Sequence, residues 1–412
     1  MRTQISEAGR AAAVKMFGST KVILILMLIA STHVASQRQL SCPKTSTCSC
    51  IEYSDLEIQC PKFDAHVFVR IQPNNYVHFE CENMTLNEYE MVPEVTLGEI
   101  RFLQLTRCPL PRGKSVASYL KNIHIEKIRS FQFVSGGANH QIQIEAQHFQ
   151  GLGDIEKFDL RGMESEIQEL PKDLFNGMEK LSWVRIRVAK IHLPVDLFVP
   201  LVNLEFLELG HNKLETLEPG FLRNQRKLRV LNLWGNALKD LKKGSFVGLE
   251  AVTELDLSSN GLELLEPGVF DHLTSLTDIN LSANHFKSLP DGLFAKNLKL
   301  RIFKLLENRV PLETLPHDLL ANHTELDTVM IKCDLRKLPE TIFEGSFRME
   351  NVSLQNNALD DLPKNLFKDQ TKMIKLDLSG NEITSFEEDV FLHQESLREL
   401  KLSRNKLKII PK

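Results

Sequence analysis

The chain has 412 residues, which is longer than one hydrophobic core usually grows, so it must build either several domains or a repeat array. Fifty basic residues against 54 acidic ones leave a net charge of −4. This near balance excludes a general electrostatic attraction to nucleic acid or anionic membranes, so any binding surface must be local.

The first 36 residues have the pattern of an export signal. Basic residues precede an apolar run from Val22 to Ala30, and small residues follow up to Ser36. The run is shorter than the roughly 20 apolar residues that cross a bilayer, so an uncleaved anchor is the weaker interpretation. Met16 is an alternative start that leaves the mature chain unchanged. We predict a signal peptide over residues 1–36 and an extracellular protein, either secreted or part of a cell-surface ectodomain whose membrane helix is absent from this chain.

Six of the seven cysteines lie between Cys42 and Cys108. In an oxidising compartment an even, clustered set indicates disulfides rather than zinc. The first four cysteines allow three pairings, and spacing alone does not choose among them. Because Cys48 and Cys50 are nearly adjacent, interleaved bonds are favoured, and the last two cysteines are left to join. The predicted bonds are Cys42 with Cys50, Cys48 with Cys60, and Cys81 with Cys108.

A motif of the form LxxLxLxxNxLxxL recurs with a period of about 24 residues. Clear copies include LEFLELGHNKLETL from Leu204 and LTDINLSANHFKSL from Leu276, and weaker copies begin at Ile155 and Leu181. This is a leucine-rich repeat, in which each coil supplies one short strand with apolar residues inward and the others outward. The predicted fold class is an α/β solenoid, a leucine-rich-repeat horseshoe with a parallel concave β-sheet and a cysteine-rich amino-terminal cap.

The repeats divide the chain after the signal peptide into three predicted segments. Residues 37–98 form the cysteine-rich cap and a first irregular coil, residues 99–154 form irregular repeats, and residues 155–412 form regular repeats. A cap is expected because a solenoid exposes its core at each end. The sequence stops at KLKIIPK inside a repeat, which predicts a truncated array without a carboxyl-terminal cap.

Two columns of residues recur from coil to coil. The motif asparagine can satisfy backbone groups left unpaired where the chain leaves the strand. Cys333 takes this place in a coil that is one residue short, which predicts a buried, unpaired and unreactive thiol. The predicted ladder is Asn212, Asn236, Asn260, Asn284, Asn308, Cys333, Asn357, Asn381 and Asn405. The second column predicts a stacked spine of Phe175, Phe198, Phe246, Phe270, Phe294, Phe343, Phe367 and Phe391, with Leu222 and Leu320 standing in twice.

The outward positions of each strand form the concave surface, which suits a protein ligand. Both tryptophans of the chain fall there, and Trp183 opens a row with Arg185 and Arg187. Tryptophan and arginine are enriched at binding hot spots. Trp234 has two interpretations, a ligand contact or simple stacking on its strand neighbours, and both remain open. The predicted ligand-binding set is Arg161, Trp183, Arg185, Arg187, Phe206, Glu208, Asn232 and Trp234.

Four sequons predict glycosylation, at Asn83, Asn280, Asn322 and Asn351. Asn322 follows the spine on the outer, loop-rich side of its coil. Asn280 and Asn351 are expected to project from the inner sheet, where glycans would exclude a broad ligand. The ligand footprint is therefore expected toward the cap and the first coils, or on a flank.

Sequence motifs of catalysis are missing from the chain. It contains no nucleophile elbow, phosphate loop, dinucleotide fingerprint or paired-histidine metal helix. The histidines are scattered, and His211 on the inner face is interpreted as a solvated residue rather than a base. We predict a protein that is not an enzyme, with no catalytic residue, no cofactor and no metal site.

Several stretches resemble the amino-terminal part of the ectodomain of insect Toll receptors, in the Toll-like receptor family. They include CSCIEYSDLEIQCP in the cap, FVRIQPNNYVHFEC, LGEIRFLQLTRCPLP, LNLWGNAL and NRVPLETLP. The resemblance runs from about Cys42 to the end of the chain, and the cap with the irregular coils is more specific than the repeats.

The resemblance implies an innate immune and developmental receptor that binds Spätzle, a cystine-knot cytokine dimer, and forms a receptor homodimer on binding. It implies contact with the membrane only through a carboxyl-terminal part that is missing here, together with the signalling TIR domain. The alternative is a secreted leucine-rich-repeat adhesion or decoy protein without signalling. Direct recognition of nucleic acid or lipid is disfavoured by the mixed charge of the inner face.

Overall fold

The computed structural model describes residues 48–62, 65–82, 97–111, 113–122, 124–136, 142–162, 167, 169–387 and 389–408. The predicted signal peptide, Cys42 and the sequon at Asn83 lie outside these residues. Their predictions are not tested by the structure.

The amino-terminal cap is a small antiparallel sheet. Its strands are β1 (Ser49–Glu52), β2 (Leu56–Lys62), β3 (Ala65–Gln72) and β4 (Tyr76–Glu82). Burial alternates along β3 and β4 because one face of the sheet packs on the core. The disulfides Cys48–Cys60 and Cys81–Cys108 are both formed, as predicted. Cys50 is also disulfide-bonded.

The sheet changes from antiparallel to parallel at β5 (Gly98–Thr106), which pairs in parallel with β4. Within the described residues, one 17-stranded sheet runs from the cap to the last coil, and a separate parallel pair joins β11 to β13. The later strands are β6 (Ile125–Val134), β7 (Lys157–Arg161), β8 (Trp183–Arg187), β9 (Phe206–Glu208), β10 (Val230–Asn232), β11 (Asp240–Leu241), β12 (Glu254–Asp256), β13 (Leu264–Leu265), β14 (Asp278–Asn280), β15 (Ile302–Leu306), β16 (Thr328–Lys332), β17 (Asn351–Ser353), β18 (Lys375–Asp377) and β19 (Glu399–Lys401).

The convex side of the solenoid is built mainly from turns. Among the described residues it also carries the helix α1 (Val116–Asn122) and a short 3₁₀ helix (Ala146–Phe149). Inward-facing strand residues such as Leu231, Leu255 and Ile279 are buried, and they stack from coil to coil in register. The predicted leucine-rich-repeat solenoid with a disulfide-bonded amino-terminal cap is confirmed.

The asparagine ladder is present and shows why the motif needs an amide. Asn212 Nδ2 donates to Ile186 O at 2.7 Å and to Leu209 O at 2.8 Å, while its Oδ1 accepts from Val188 N at 2.9 Å. One side chain thus bonds the backbone of its own coil and that of the coil before. The same pattern recurs at Asn236, Asn260, Asn284, Asn357, Asn381 and Asn405.

Two ladder positions depart from this pattern. Asn308 donates to Phe286 O at 2.9 Å and also to Val310 O, instead of bridging two strand carbonyls. Its Oδ1 still accepts from Phe286 N at 3.0 Å, so the change is confined to the donated bonds. Cys333 occupies the ladder with its backbone, since its N–H donates to Asn357 Oδ1 at 2.9 Å. Its thiol is buried and unpaired, and burial raises its pKa to about 12, as expected for an unreactive cysteine.

The aromatic spine is also present on the convex side. Phe270 and Phe294 stack with ring centroids 5.3 Å apart, and Phe343 and Phe367 stack at 6.1 Å. Leu222 and its counterpart Leu320 are buried where the column lacks a ring. The spine therefore runs through both the early and the late regular coils.

A second polar column, which is not part of the repeat motif, lies three residues after the spine. Gln225 Nε2 donates to Phe198 O at 2.6 Å, and Gln370 Nε2 donates to Phe343 O at 2.7 Å. We call these residues the convex polar column. Its members are Gln225, Asn297, His323, Ser346, Gln370 and Gln394, and each contacts the carbonyl of the preceding coil's spine residue.

Candidate ligand-binding surface

Strand register brings the predicted concave residues together. In β8, Val184 and Ile186 are buried, whereas Trp183, Arg185 and Arg187 are half-buried on the concave side. The register places Arg161 of β7 beside Arg187, Phe206 of β9 beside Trp183, and Glu208 of β9 beside Arg185. The predicted set therefore forms one contiguous surface across β7 to β10.

The arginines on this surface are held by a carboxylate at each side. Glu208, with only 5% of its side chain exposed, accepts from Arg185 Nε at 2.8 Å and also pairs with Arg187. Asp159 of β7, with 8% exposed, accepts from Arg161 Nη2 at 2.9 Å and lies 3.5 Å from Arg185 Nη1. We call these five residues the concave charge cluster. Three guanidinium groups share two nearly buried carboxylates, so the cluster carries a formal charge of +1.

The two carboxylates position the arginines rather than meeting solvent. Both oxygens of Glu208 contact arginines, so this residue orients the guanidinium groups. Asp159 has the same role and also accepts from Gln132 Nε2 at 2.9 Å. The hydrogen bond from Arg161 to Asp159 raises the pKa of that guanidinium. Asp159 was not in the predicted set, because its contact with Arg185 depends on the register between β7 and β8.

Aromatic rings lie beside the charge cluster. Trp183 and Phe206 stack face to face, with ring centroids 5.1 Å apart and an interplanar angle of 7°. The Arg185 guanidinium lies 4.8 Å from the centre of the Trp183 ring. Such a cation–π contact is worth about 0.5–1 kcal/mol at exposed sites. The rings and the guanidinium groups thus restrain one another.

Trp234 lies at the edge of the same surface and packs on its neighbours. Its ring centroid is 3.9 Å from that of His211, and the Arg187 guanidinium lies 5.6 Å from it. A Cβ at Gly210 would lie 2.7 Å from Trp234 Nε1, so this indole needs a glycine beneath it. Asn232 supports the turn by accepting from Trp234 N at 3.1 Å. Of the two interpretations of Trp234, the stacking contact is present in the free chain.

A second aromatic and polar group lies on the concave side of β4 and β5. Tyr76 and Phe102 stack with ring centroids 4.9 Å apart, and the Tyr76 hydroxyl donates to Gln104. His78 Nε2 lies 2.9 Å from Thr106 Oγ1, and burial lowers the pKa of His78. These residues belong to irregular coils without the repeat motif. The alternation in YVHFECE is the signal that places them on one face.

Two of the described sequon asparagines lie on the concave surface and one lies outside it. Asn280 lies on the concave side of β14, where its Oδ1 accepts from Ser282 N at 3.2 Å and its Nδ2 lies 3.4 Å from Asp256 Oδ2. Asn351 is half-buried in β17, in register with Lys375 of β18. Both therefore project from the inner sheet, whereas Asn322 is exposed in a turn region.

One group of potential metal ligands occurs in the part of the chain that the structure describes. Asp291, His317 and Asp318 each place one donor atom within 4.8 Å of the others. Asp318 Oδ2 already accepts from Gly292 N at 3.0 Å, so this carboxylate also has a structural role. The group lies outside the concave surface. We assign no metal to it.

No helix within the described ranges is both long and apolar enough to cross a membrane.

Comparisons with known proteins agree with this architecture. A leucine-rich-repeat family model matches residues 226–286 and 347–407. The protein Toll of Drosophila melanogaster is 41% identical over 345 residues, which is 82% of this chain and 31% of that protein. A crystal structure of the TLR13–ssRNA13 complex, 19% identical with a TM-score of 0.60, covers 76% of this chain and 48% of its own and shows likeness of fold alone.

The solved structure of the Drosophila Toll–Spätzle complex is similar in both sequence and fold. It is 36% identical with a TM-score of 0.79, and the match covers 87% of this chain and 48% of that chain. The chain thus spans about a third of the curated relative and about half of the solved Toll chain. This sequence belongs to the Toll family of leucine-rich-repeat proteins.

Proposed function

We propose that this chain is the ligand-binding portion of a Toll-type receptor ectodomain and that it binds a Spätzle-like cystine-knot cytokine dimer outside the cell. The observation that carries the proposal is the concave surface across β7 to β10, in which buried carboxylates hold arginines beside stacked aromatic rings. The similarity to a chain solved in complex with Spätzle supports a protein as the ligand.

Preorganisation makes this surface suitable for binding. Arginine and tryptophan side chains normally lose rotamer freedom when a partner immobilises them, at about 0.5–1.5 kcal/mol per side chain. Here Arg185 and Arg187 are already fixed by Glu208, and Trp183 is fixed by Phe206. Most of that entropy loss therefore occurs on folding rather than on binding. The charge of +1 favours ligand groups that are acidic or aromatic.

The sequon at Asn280 sets one boundary of the proposed footprint. Asn232 of β10, Asp256 of β12 and Asn280 of β14 lie in one row across adjacent strands. With strands about 4.8 Å apart, Asn280 lies roughly 10 Å beyond β10. A glycan there would limit a broad ligand on that side, so the footprint extends toward β4 and β5 instead. There Tyr76 and Phe102 offer further aromatic surface.

A dimeric ligand also accounts for receptor pairing. Two equal ligand surfaces can each hold one receptor chain, and the second chain then binds at a raised effective concentration. We infer that receptor homodimerisation follows ligand binding and needs no preformed receptor dimer.

An engineered N-glycan on the concave side of β10 would block the proposed surface without changing any residue of the concave charge cluster. The double substitution Val230→Asn, Asn232→Thr creates an Asn-Leu-Thr sequon on the concave side of β10. Threonine can take over the role of Asn232, which accepts from Trp234 N. We expect affinity for processed Spätzle dimers, measured by biolayer interferometry, to fall by more than about tenfold.

The matched control places an engineered N-glycan on the concave side of β18. Lys375→Asn, Asp377→Thr also creates Asn-Leu-Thr, and Asp377 has the same local role of accepting from Ser379 N at 2.9 Å. This variant should bind like the unmodified chain. Equal binding by both variants would place the ligand elsewhere. A lack of binding by the unmodified chain would favour the adhesion or decoy alternative.

A further inference from the structure

Two large apolar side chains are exposed on neighbouring parts of the solenoid. Leu298 is 58% exposed and Phe347 is 52% exposed. Each lies four residues after the spine residue of its coil, Phe294 and Phe343 respectively. The coil between them carries Thr324 at this position. Thr324 completes the sequon Asn-His-Thr that begins at Asn322, so a glycosylation signal lies between the two apolar residues.

This position is mostly polar in the other regular coils. The counterparts are Glu179, Val202, Arg226, Glu250, Thr274, Thr371 and Glu395. Val202 is the one other apolar residue among them. The coils on both sides of the sequon thus replace a solvated side chain by leucine and by phenylalanine, which exposes apolar surface that soluble proteins usually keep small.

The sequon is held firmly against the coil that carries Phe347. Asn322 N donates to Glu344 O at 2.7 Å, and the residue adopts a left-handed backbone conformation with φ of 61°. A Cβ at Gly345 would lie 2.5 Å from Asn322 Oδ1, so the asparagine amide lies directly on that glycine. The next residue, His323, is buried, and its N–H donates to Ser346 Oγ at 3.0 Å.

These contacts place the attachment point close to the apolar pair. Asn322 lies against the residues immediately before Phe347, and adjacent coils are only about 5 Å apart. Asn322 is itself exposed, as a glycosylated residue must be. A sugar attached there starts within reach of both neighbouring coils.

We propose that Asn322 carries an N-linked glycan whose first N-acetylglucosamine units lie over Leu298 and Phe347. In the attachment step Asn322 Nδ2 bonds to C1 of the sugar of a lipid-linked pyrophosphate oligosaccharide, the C1–O bond breaks, and the lipid pyrophosphate leaves with the electron pair while the amide loses a proton. The apolar C–H face of the sugar then packs on the phenylalanine ring, and its hydroxyl groups face water. This glycan covers apolar surface of its own chain, and the inference does not depend on the proposed ligand.

The test uses the full chain secreted from insect cells. Glycopeptide mass spectrometry should find Asn322 modified. Removing this glycan by Thr324→Ala should raise the fluorescence of a hydrophobic dye such as bis-ANS and lower the concentration at which the protein aggregates. Thr324→Ala leaves the hydrogen bond of Asn322 to Glu344 intact, which separates glycan loss from damage to the turn.

Two further variants make the result specific. Adding Phe347→Ser to Thr324→Ala should reverse part of the rise in dye fluorescence, and adding Leu298→Ser as well should return it to that of the unmodified chain, because both exposed apolar side chains are then removed. Asn351→Gln removes a sequon from the concave sheet and should leave dye fluorescence unchanged. An unmodified Asn322 in the secreted protein would overturn the proposal. The proposal would also be overturned if Asn322 is glycosylated but loss of that glycan changes neither dye fluorescence nor aggregation.

Discussion

The early and late parts of the concave sheet use their outward side chains differently. Strands β4 to β6 have 7, 9 and 10 residues, whereas β17 to β19 have three each. In β7 to β9, Asp159 and Glu208 are almost buried beneath arginines. In β18 and β19, Lys375 and Glu399 form a pair at 3.8 Å with 62% and 43% of their side chains exposed.

The difference shows that connected concave side chains lie in the early coils, whereas the late coils carry isolated, exposed ion pairs. The regular late coils repeat the residues that stack coil on coil, and their concave side chains make exposed ion pairs worth about 0–1 kcal/mol. The early coils depart from the repeat length and join their concave side chains into a connected network. The following predictions test this comparison, from the largest expected effect to the smallest.

The aromatic spine should contribute equally to stability in the early and the late coils. Phe175→Ala in an early coil and Phe367→Ala in a late coil each remove a fully buried ring. Each should lower the free energy of unfolding by about 3–5 kcal/mol, because a cavity remains. Urea denaturation followed by circular dichroism measures this. Val247→Ala, at an exposed site, is the control and should change stability by less than about 0.5 kcal/mol. A large difference between the two phenylalanine variants would mean that the coils do not share one core.

The concave carboxylates should separate the two parts. Glu208→Gln removes the carboxylate that pairs with Arg187 and leaves Arg185 with only its 3.5 Å contact to Asp159, and we expect a loss of about 1–3 kcal/mol of stability. Glu399→Gln removes an exposed partner and should cost less than about 1 kcal/mol. Chemical denaturation of both variants at one salt concentration gives the comparison. Equal losses would show that the burial of Glu208 does not increase its contribution to stability.

The aromatic part of the surface should affect binding more than folding. Trp183→Ala removes the ring that stacks on Phe206 and lies under Arg185. If this ring is a hot spot, affinity for processed Spätzle dimers should fall by more than about tenfold. Lys375→Ala on β18 is the matched control and should leave the dissociation constant unchanged. The proposed footprint fails if the lysine variant is the weaker binder.

Acidification should weaken the fold through its buried histidines. Burial lowers the pKa of His148 in the early part and of His323 in the convex polar column below the ordinary value of 6.5. Each therefore binds a proton more readily when unfolded, so its contribution is present above about pH 6.5 and is lost as pH falls through that region. Unfolding curves at pH 7.5 and pH 5.5 measure the loss.

A glutamine variant isolates the histidine in the late part. His323→Gln introduces the residue that Gln370 and Gln394 already use at this column position. It should lose less stability between pH 7.5 and pH 5.5 than the unmodified chain does. An unchanged pH dependence would mean that His323 is solvated when folded.

The repeated elements could be predicted from the sequence because their letters recur. Asn284 and Phe294 repeat at the spacing of their motif, and the structure places them in the ladder and the spine. The ladder position of Cys333 was also predicted, because the motif leucines around it fix its place in the repeat. The concave positions of Trp183 and Arg185 followed from strand alternation.

Features that depend on register or on varied residue types could not be predicted in this way. The pair of Asp159 with Arg185 needs the alignment of β7 and β8, because the two residues are 26 apart in sequence. The convex polar column uses glutamine, asparagine, histidine and serine for one hydrogen bond, so no single residue type marks it in every coil. The changed partners of Asn308 have no counterpart in its sequence motif, which keeps the usual asparagine.

Hydroxyl-radical footprinting with and without a processed Spätzle dimer tests the central claim most directly. Trp183 on β8 and Met330 on β16 are both half-buried and reactive, and both face the concave side. Trp183 should be protected when the dimer binds, while Met330 should oxidise at an unchanged rate. Protection of Met330 with no change at Trp183 would contradict a binding surface across β7 to β10.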